Sequence, residues 1–107
     1  MDYGQRADKT QKGMGFFGEL KRPGGGISTE ISVGVGINGK EMEIPLIVPS
    51  LSKDELDYLL KTPVKSAKFF DNMPPSILEK AYDHAVMRMD QGKSPFAGPD
   101  EITEPPK

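Results

Sequence analysis

The segment Gly34-Val35-Gly36-Ile37-Asn38-Gly39 has the spacing G-x-G-x-x-G. In a dinucleotide site such glycines leave a strand and open a helix, whose N-terminus holds the pyrophosphate. Here β-branched residues alternate with the glycines and Asn38-Gly39 signals a hairpin turn, so the pattern lies inside a hairpin with no helix to follow. A kinase glycine loop is also a hairpin, but no kinase lysine, catalytic-loop or metal-binding motif accompanies it. His84 is the only histidine and there is no cysteine. A metal site needs several converging ligands, and His84 has no nitrogen or sulfur partner. The carboxylates Asp54, Glu55, Asp57, Asp83 and Asp90 fall at helical spacings that make caps and solvated faces. No serine stands in a nucleophile elbow, and no acid–base–nucleophile set can be assembled. The reading is therefore a non-enzymatic chain with no catalytic residue, cofactor, metal or small-molecule substrate.

The elements that would position any other site are easier to read. From Ile27 to Ile37, β-branched residues alternate with Ser28, Glu30, Ser32, Gly34 and Gly36, which is the period of a strand. Asn38-Gly39 supplies the two positive-φ residues of a type I′ turn, and Lys40 to Val48 is the return strand. A two-residue loop pairs Ile37 with Lys40, Val35 with Met42, Val33 with Ile44 and Ile31 with Leu46. The last three are apolar pairs on one face, and a slip by one residue would put them all in water. Pro45 falls opposite Ser32 at a non-hydrogen-bonded position, so its missing N–H marks the return strand as a free edge. Gly34 and Gly36 strip the other face of side chains and make it a docking surface that another backbone can approach closely.

Ser52-Lys53-Asp54-Glu55 is a capping box opening a short helix over 53–61. A second box, Ser76 to Glu79, opens a longer helix over 76–91, stopped by Gly92. The expected fold is α+β: a two-stranded antiparallel hairpin (residues 27–92 with its helices) packed by two helices, between flexible arms at 1–26 and 93–107. Its core would be Ile31, Val33, Val35, Met42, Ile44, Leu46, Leu56, Leu59, Leu60, Leu78, Ala81, Tyr82, Ala85 and Met89. The N-terminal arm carries one apolar anchor, Phe16-Phe17 with Leu20, which would either fold back on the core or dock on a partner. Phe96 in the proline-rich, acidic tail is a further contact candidate, together with Met87 and Arg88.

With 12 glycines, 10 prolines and a hydrophobic share of 36%, the chain offers one modest core. Its formal net charge of -2 selects no partner by a global field. Nucleic-acid binding asks for a denser basic patch with stacking aromatics than Lys21-Arg22 provides. No apolar run approaches the ~20 residues that cross a bilayer, and the N-terminus lacks the apolar core of a signal peptide.

Read as a string, Ser28-Thr29-Glu30-Ile31-Ser32-Val33-Gly34-Val35-Gly36-Ile37-Asn38-Gly39-Lys40-Glu41 resembles a module of tailed-phage and prophage proteins. So do Ile44-Pro45-Leu46-Ile47-Val48-Pro49-Ser50-Leu51-Ser52, Glu79-Lys80-Ala81, His84-Ala85, Arg88-Met89 and Gly92-Lys93-Ser94-Pro95-Phe96-Ala97. The likeness covers about residues 27–98, and the family has no established activity. It more often carries a polar residue where Leu46 stands, which leaves open whether another chain covers that edge. The resemblance implies a minor virion or assembly component. It would bind other phage structural proteins or copies of itself through its arms and hairpin edge, at Phe16, Phe17, Leu20, Gly34, Gly36, Pro45 and Phe96. The alternative is a free regulatory or inhibitor module that binds a host protein in the host cytoplasm.

Overall fold

The computed structural model describes residues 4–6, 9–64 and 66–106; residues 1–3, 7 and 8 of the expected arm, Lys65, and Lys107 of the tail lie outside the described residues. Asn38 and Gly39 both take positive φ, 53° and 78°, as a type I′ turn requires. The turn joins β3 (Ser32–Ile37) to β4 (Lys40–Pro45) in the expected register, with Val33 opposite Ile44, Val35 opposite Met42 and Ser32 opposite Pro45. The Leu46 N–H donates to the Ile31 carbonyl at 2.7 Å, which carries the pairing one step past the strand end. Leu46, Ile47 and Val48 are then fully buried. The departure at Leu46 is thus covered by the chain's own core.

The expected continuous strand from Ile27 is instead two. Ile27–Ser28 (β2) turns back on Leu20–Lys21 (β1) through the loop containing Pro23 to Gly26. Thr29 and Glu30 lie between β2 and β3, both buried. The N-terminal segment takes the space beside them. Gly15, at φ +71°, approaches so closely that a Cβ there would stand 2.0 Å from the Thr29 carbonyl oxygen. That approach delivers Phe16, Phe17 and Leu20 into the core, 3%, 6% and 8% exposed. Of the two readings of this anchor, folding back is the observed one. Each buried Phe stabilises the fold by roughly 1.5–3 kcal/mol relative to leaving it in water.

The described residues thus form two antiparallel two-stranded sheets and three helices, a mixed α+β fold. The first helix, α1 (Lys53–Lys61), has the expected bounds and a complete capping box between Ser52 and Glu55. A short α2 (Lys68–Asp71) forms in the connector and buries Phe69, whose carbonyl accepts the Tyr58 hydroxyl at 2.6 Å. The long helix α3 (Pro75–Asp90) opens on Pro75 after Pro74 and not on a serine cap. Proline suits that first position because its missing N–H would be unbonded anyway. Freed from capping, the Ser76 hydroxyl donates to Glu55 Oε2. Glu55 Oε1 accepts the Ser52 N–H at 2.7 Å and Lys80 Nζ at 2.6 Å. One carboxylate therefore ties the start of α1 to α3.

At its other end α3 closes on Gly92, at φ +75°. The Gly92 N–H donates to the Met89 carbonyl and the Lys93 N–H to the Arg88 carbonyl, a Schellman arrangement. The buried stripe of α3 is Ile77, Ala81, Ala85 and Arg88, spaced as one helical face requires. Leu78 and Tyr82, expected in the core, are 42% and 39% exposed. The apolar arc of this helix is wider than the face that finds a neighbour.

Gly15→Ala should lower stability by at least about 2 kcal/mol, since left-handed backbone costs a side-chain-bearing residue ~1–2 kcal/mol before the backbone overlap is added. Gly36→Ala, which opens into free space on extended backbone, should stay within ~0.5 kcal/mol. Urea unfolding midpoints of the two variants check the contrast.

Candidate functional site

The site is assembled from the hairpin upward. Strand alternation puts Gly34, Gly36, Glu41 and Glu43 on the face opposite Val33, Val35, Met42 and Ile44. Gly34 and Gly36 are exposed. Gly34 is paired with Glu43, and a Cβ placed on it would lie 3.5 Å from Glu43 Oε1 and 3.9 Å from Glu41 Oε1. Two carboxylates therefore lean over the bare glycine. No described residue forms an ion pair with either.

The opposite wall comes from the two ends of the chain. Arg88 is only 6% exposed. Its Nε donates to the Ser94 carbonyl at 2.7 Å and its Nη2 to the Phe96 carbonyl at 2.9 Å. The same guanidinium holds Glu101 through both carboxylate oxygens. Glu101 also accepts the Gly98 N–H at 2.8 Å, and the Thr103 N–H donates to the Phe16 carbonyl at 2.7 Å. The C-terminal segment is thus folded back over the body by one arginine. At the other end, Arg6 grips Glu30 with Nε and Nη2 at 2.8 and 2.7 Å. Its guanidinium carbon stands 4.0 Å from the centroid of the Phe96 ring, close enough for cation–π attraction. Glu30 in turn accepts the Gly13 N–H.

Between these walls runs a groove of about 620 Å³, lined by Arg6, Thr10, Gly34, Glu41, Met42, Glu43, Ser94, Pro95 and Phe96. It brings together two of the residues singled out in the sequence, Gly34 and Phe96. Gly36 lies on the same sheet face outside the lining. Phe16, Phe17, Leu20 and Pro45 do not join it: they are buried in the chain's own core, so they present no docking surface. Among the described residues β4 pairs with β3 alone, so it is an edge strand as Pro45 implied, although the Pro45 ring itself is buried. Sequence reasoning missed Arg6, Glu41 and Glu43. The alternation Glu41-Met42-Glu43, in the known register, was the signal that could have found the two glutamates.

Two other surfaces stand out. Pro75, Leu78 and Tyr82 line a shallow apolar hollow on α3, flanked by Glu79 and Asp83. Met87, 47% exposed, lines another hollow with Pro49 and His84. His84 packs edge-on against Phe16, ring centroids 4.9 Å apart, and its Nδ1 is buried without a partner. Burial, then the Arg88 charge, push the imidazole below its ordinary pKa, against a smaller upward pull from Glu101. Its position disfavours the charged imidazole, and it packs against Phe16.

No family model matches the chain, and neither curated proteins nor solved structures include a match. Among the described residues no helix is long and apolar enough to cross a membrane.

Glu55 and Glu101, which join elements, contribute to the acid response. Burial alone raises Glu55, but the Lys80 ammonium, the Ser52 N–H and the Ser76 hydroxyl outweigh it and hold the group at about 2. The Arg88 guanidinium, then the Gly98 N–H, hold Glu101 at about 2 as well. Carboxyls depressed on folding stabilise the fold fully above their ordinary value of 4.5, and the contribution disappears as pH falls from there towards 2. Urea midpoints should therefore begin to decline below about pH 6.5, where burial disfavours the charged His84 imidazole, and drop more steeply below pH 4.5 as Glu55 and Glu101 take up protons. Glu55→Gln and Glu101→Gln should each start lower and drop less steeply.

Proposed function

We propose that the chain is a structural or assembly component of a tailed-phage particle, a minor virion protein that works by holding neighbouring chains. One observation carries this reading. The strings that resemble the phage module are distant in the chain, yet Gly34 and Glu41 from one and Ser94, Pro95 and Phe96 from another line a single groove. A module whose shared residues converge on a surface groove is organised for binding. The attachment surface differs from the one expected of the arms, because Phe16, Phe17 and Leu20 are committed to the core.

Quantitative mass spectrometry of purified particles tests this. The protein should be present at a fixed copy number per particle, unchanged after nuclease and high-salt washing. Its absence from particles, with recovery as a free protein in the infected-cell lysate, would overturn the reading in favour of a free effector.

A further inference from the structure

The groove has the chemistry to choose its occupant. Arg6 lines it, but the Arg6 charge is neutralised by Glu30. Glu41 and Glu43 therefore leave it with unbalanced negative charge, and both lean over the same glycine. Two like charges in one place repel, and a cation between them removes that cost. A metal ion is a poor candidate, because no group of three or more metal-ligating side chains gathers among the described residues.

The backbone adds a second requirement. Consecutive strand side chains point to opposite faces, so a hollow touching Glu41, Met42 and Glu43 together runs along the strand itself. In the observed register Glu41 and Glu43 occupy the non-hydrogen-bonded positions, with their N–H and C=O groups turned away from β3. No described strand takes these groups, since β4 pairs with β3 alone. The open stretch is short. Pro45, the next residue with that orientation, has no N–H and is buried.

We propose that this groove binds an extended segment of a different protein, which adds to the β4 edge and places Lys or Arg side chains against Glu41 and Glu43. The position between them falls on the opposite face beside half-buried Met42 and is apolar. The pattern is basic, apolar, basic, with a basic stem lying over Gly34. A second copy of this chain fits poorly, since pairing two β4 edges would bring Glu41 and Glu43 of each copy together, and like charges directly opposite are destabilising. This identifies the partner chemistry at the surface on which the particle reading rests.

The test uses the full chain, isotopically labelled, titrated with a blocked pentapeptide Thr-Lys-Val-Lys-Thr and with the same peptide carrying Glu for Lys. The lysine peptide should shift the amide resonances of Gly34, Glu41 to Glu43 and Ser94 to Phe96, and the glutamate peptide should not. Glu41→Lys with Glu43→Lys should weaken binding at least about tenfold with an unchanged circular dichroism spectrum, because neither side chain is engaged in the fold. Glu43→Pro should weaken it more than Glu43→Gln, because it also removes an N–H that faces the partner and not β3. The proposal is overturned by equal binding of both peptides, by no binding, by shifts centred on Leu78 and Tyr82, or by self-association of the chain through Glu41 to Glu43. Any of these, with the protein still found in particles at fixed copy number, would move the docking face and leave the particle reading standing.

Discussion

The buried guanidinium of Arg88 is the constraint on which the ends of this structure depend. A charge removed from water must find its partners inside the protein, and losing one partner of a buried pair costs several kcal/mol. Arg88 finds none of them on its own helix. The partners are the carbonyls of Ser94 and Phe96 and the carboxylate of Glu101, all beyond the Gly92 stop. The chain must therefore reverse at the end of α3 and run back over the body. Phe16 lies under the same guanidinium, 5.4 Å from its ring centroid, so the N-terminal segment is drawn to the same point. Arg6 then grips the buried Glu30 and stacks on Phe96, which locks one end of the chain against the other. The far wall of the groove follows from these contacts, with the hairpin as the near wall.

The parts of the fold set by local chemistry were legible in the sequence. The Asn38-Gly39 turn and the period-two alternation determine the register of β3 and β4, because a slip by one residue moves Val33, Val35 and Ile44 to the other face. Ser52 and Glu55 form a capping box from residues three apart, a pattern readable in the local sequence. The parts decided by remote partners were not legible. Ser76 has the spacing of a cap, yet its hydroxyl goes to Glu55, whose acidity and proximity no local pattern reports. The strand beginning at Ile27 reads as continuous, yet it divides where Gly15 presses on Thr29. Arg88 reads as a surface residue of α3 until the tail that buries it is in place.

The same division applies to the groove. Gly34 and Gly36 were recognisable as a stripped face, and Phe96 as an isolated aromatic in a polar tail. Their functional company was not, because Arg6 and Ser94 to Phe96 reach the hairpin only through the folded-back ends. The aromatic anchor of the N-terminal segment shows the opposite case. Phe16 and Phe17 resemble a docking device in sequence, but burying them in the chain's own core is the more favourable use of their surface. A hairpin of two short strands is marginal alone in water; α3 packs on β4, and Phe16, Phe17 and Leu20 join the same core.

The described residues on either side of 27–92 pack on the body through Arg88 and the buried Phe16 and Phe17. Native-state amide hydrogen exchange on the full chain tests this packing most directly. The amides of Gly98 and Thr103, which donate to Glu101 and to the Phe16 carbonyl, should be protected well above the rate of an unfolded chain. In Arg88→Gln both should lose that protection while the Leu46 amide keeps its own. Exchange of Gly98 and Thr103 at unstructured rates in the unaltered protein would contradict the account.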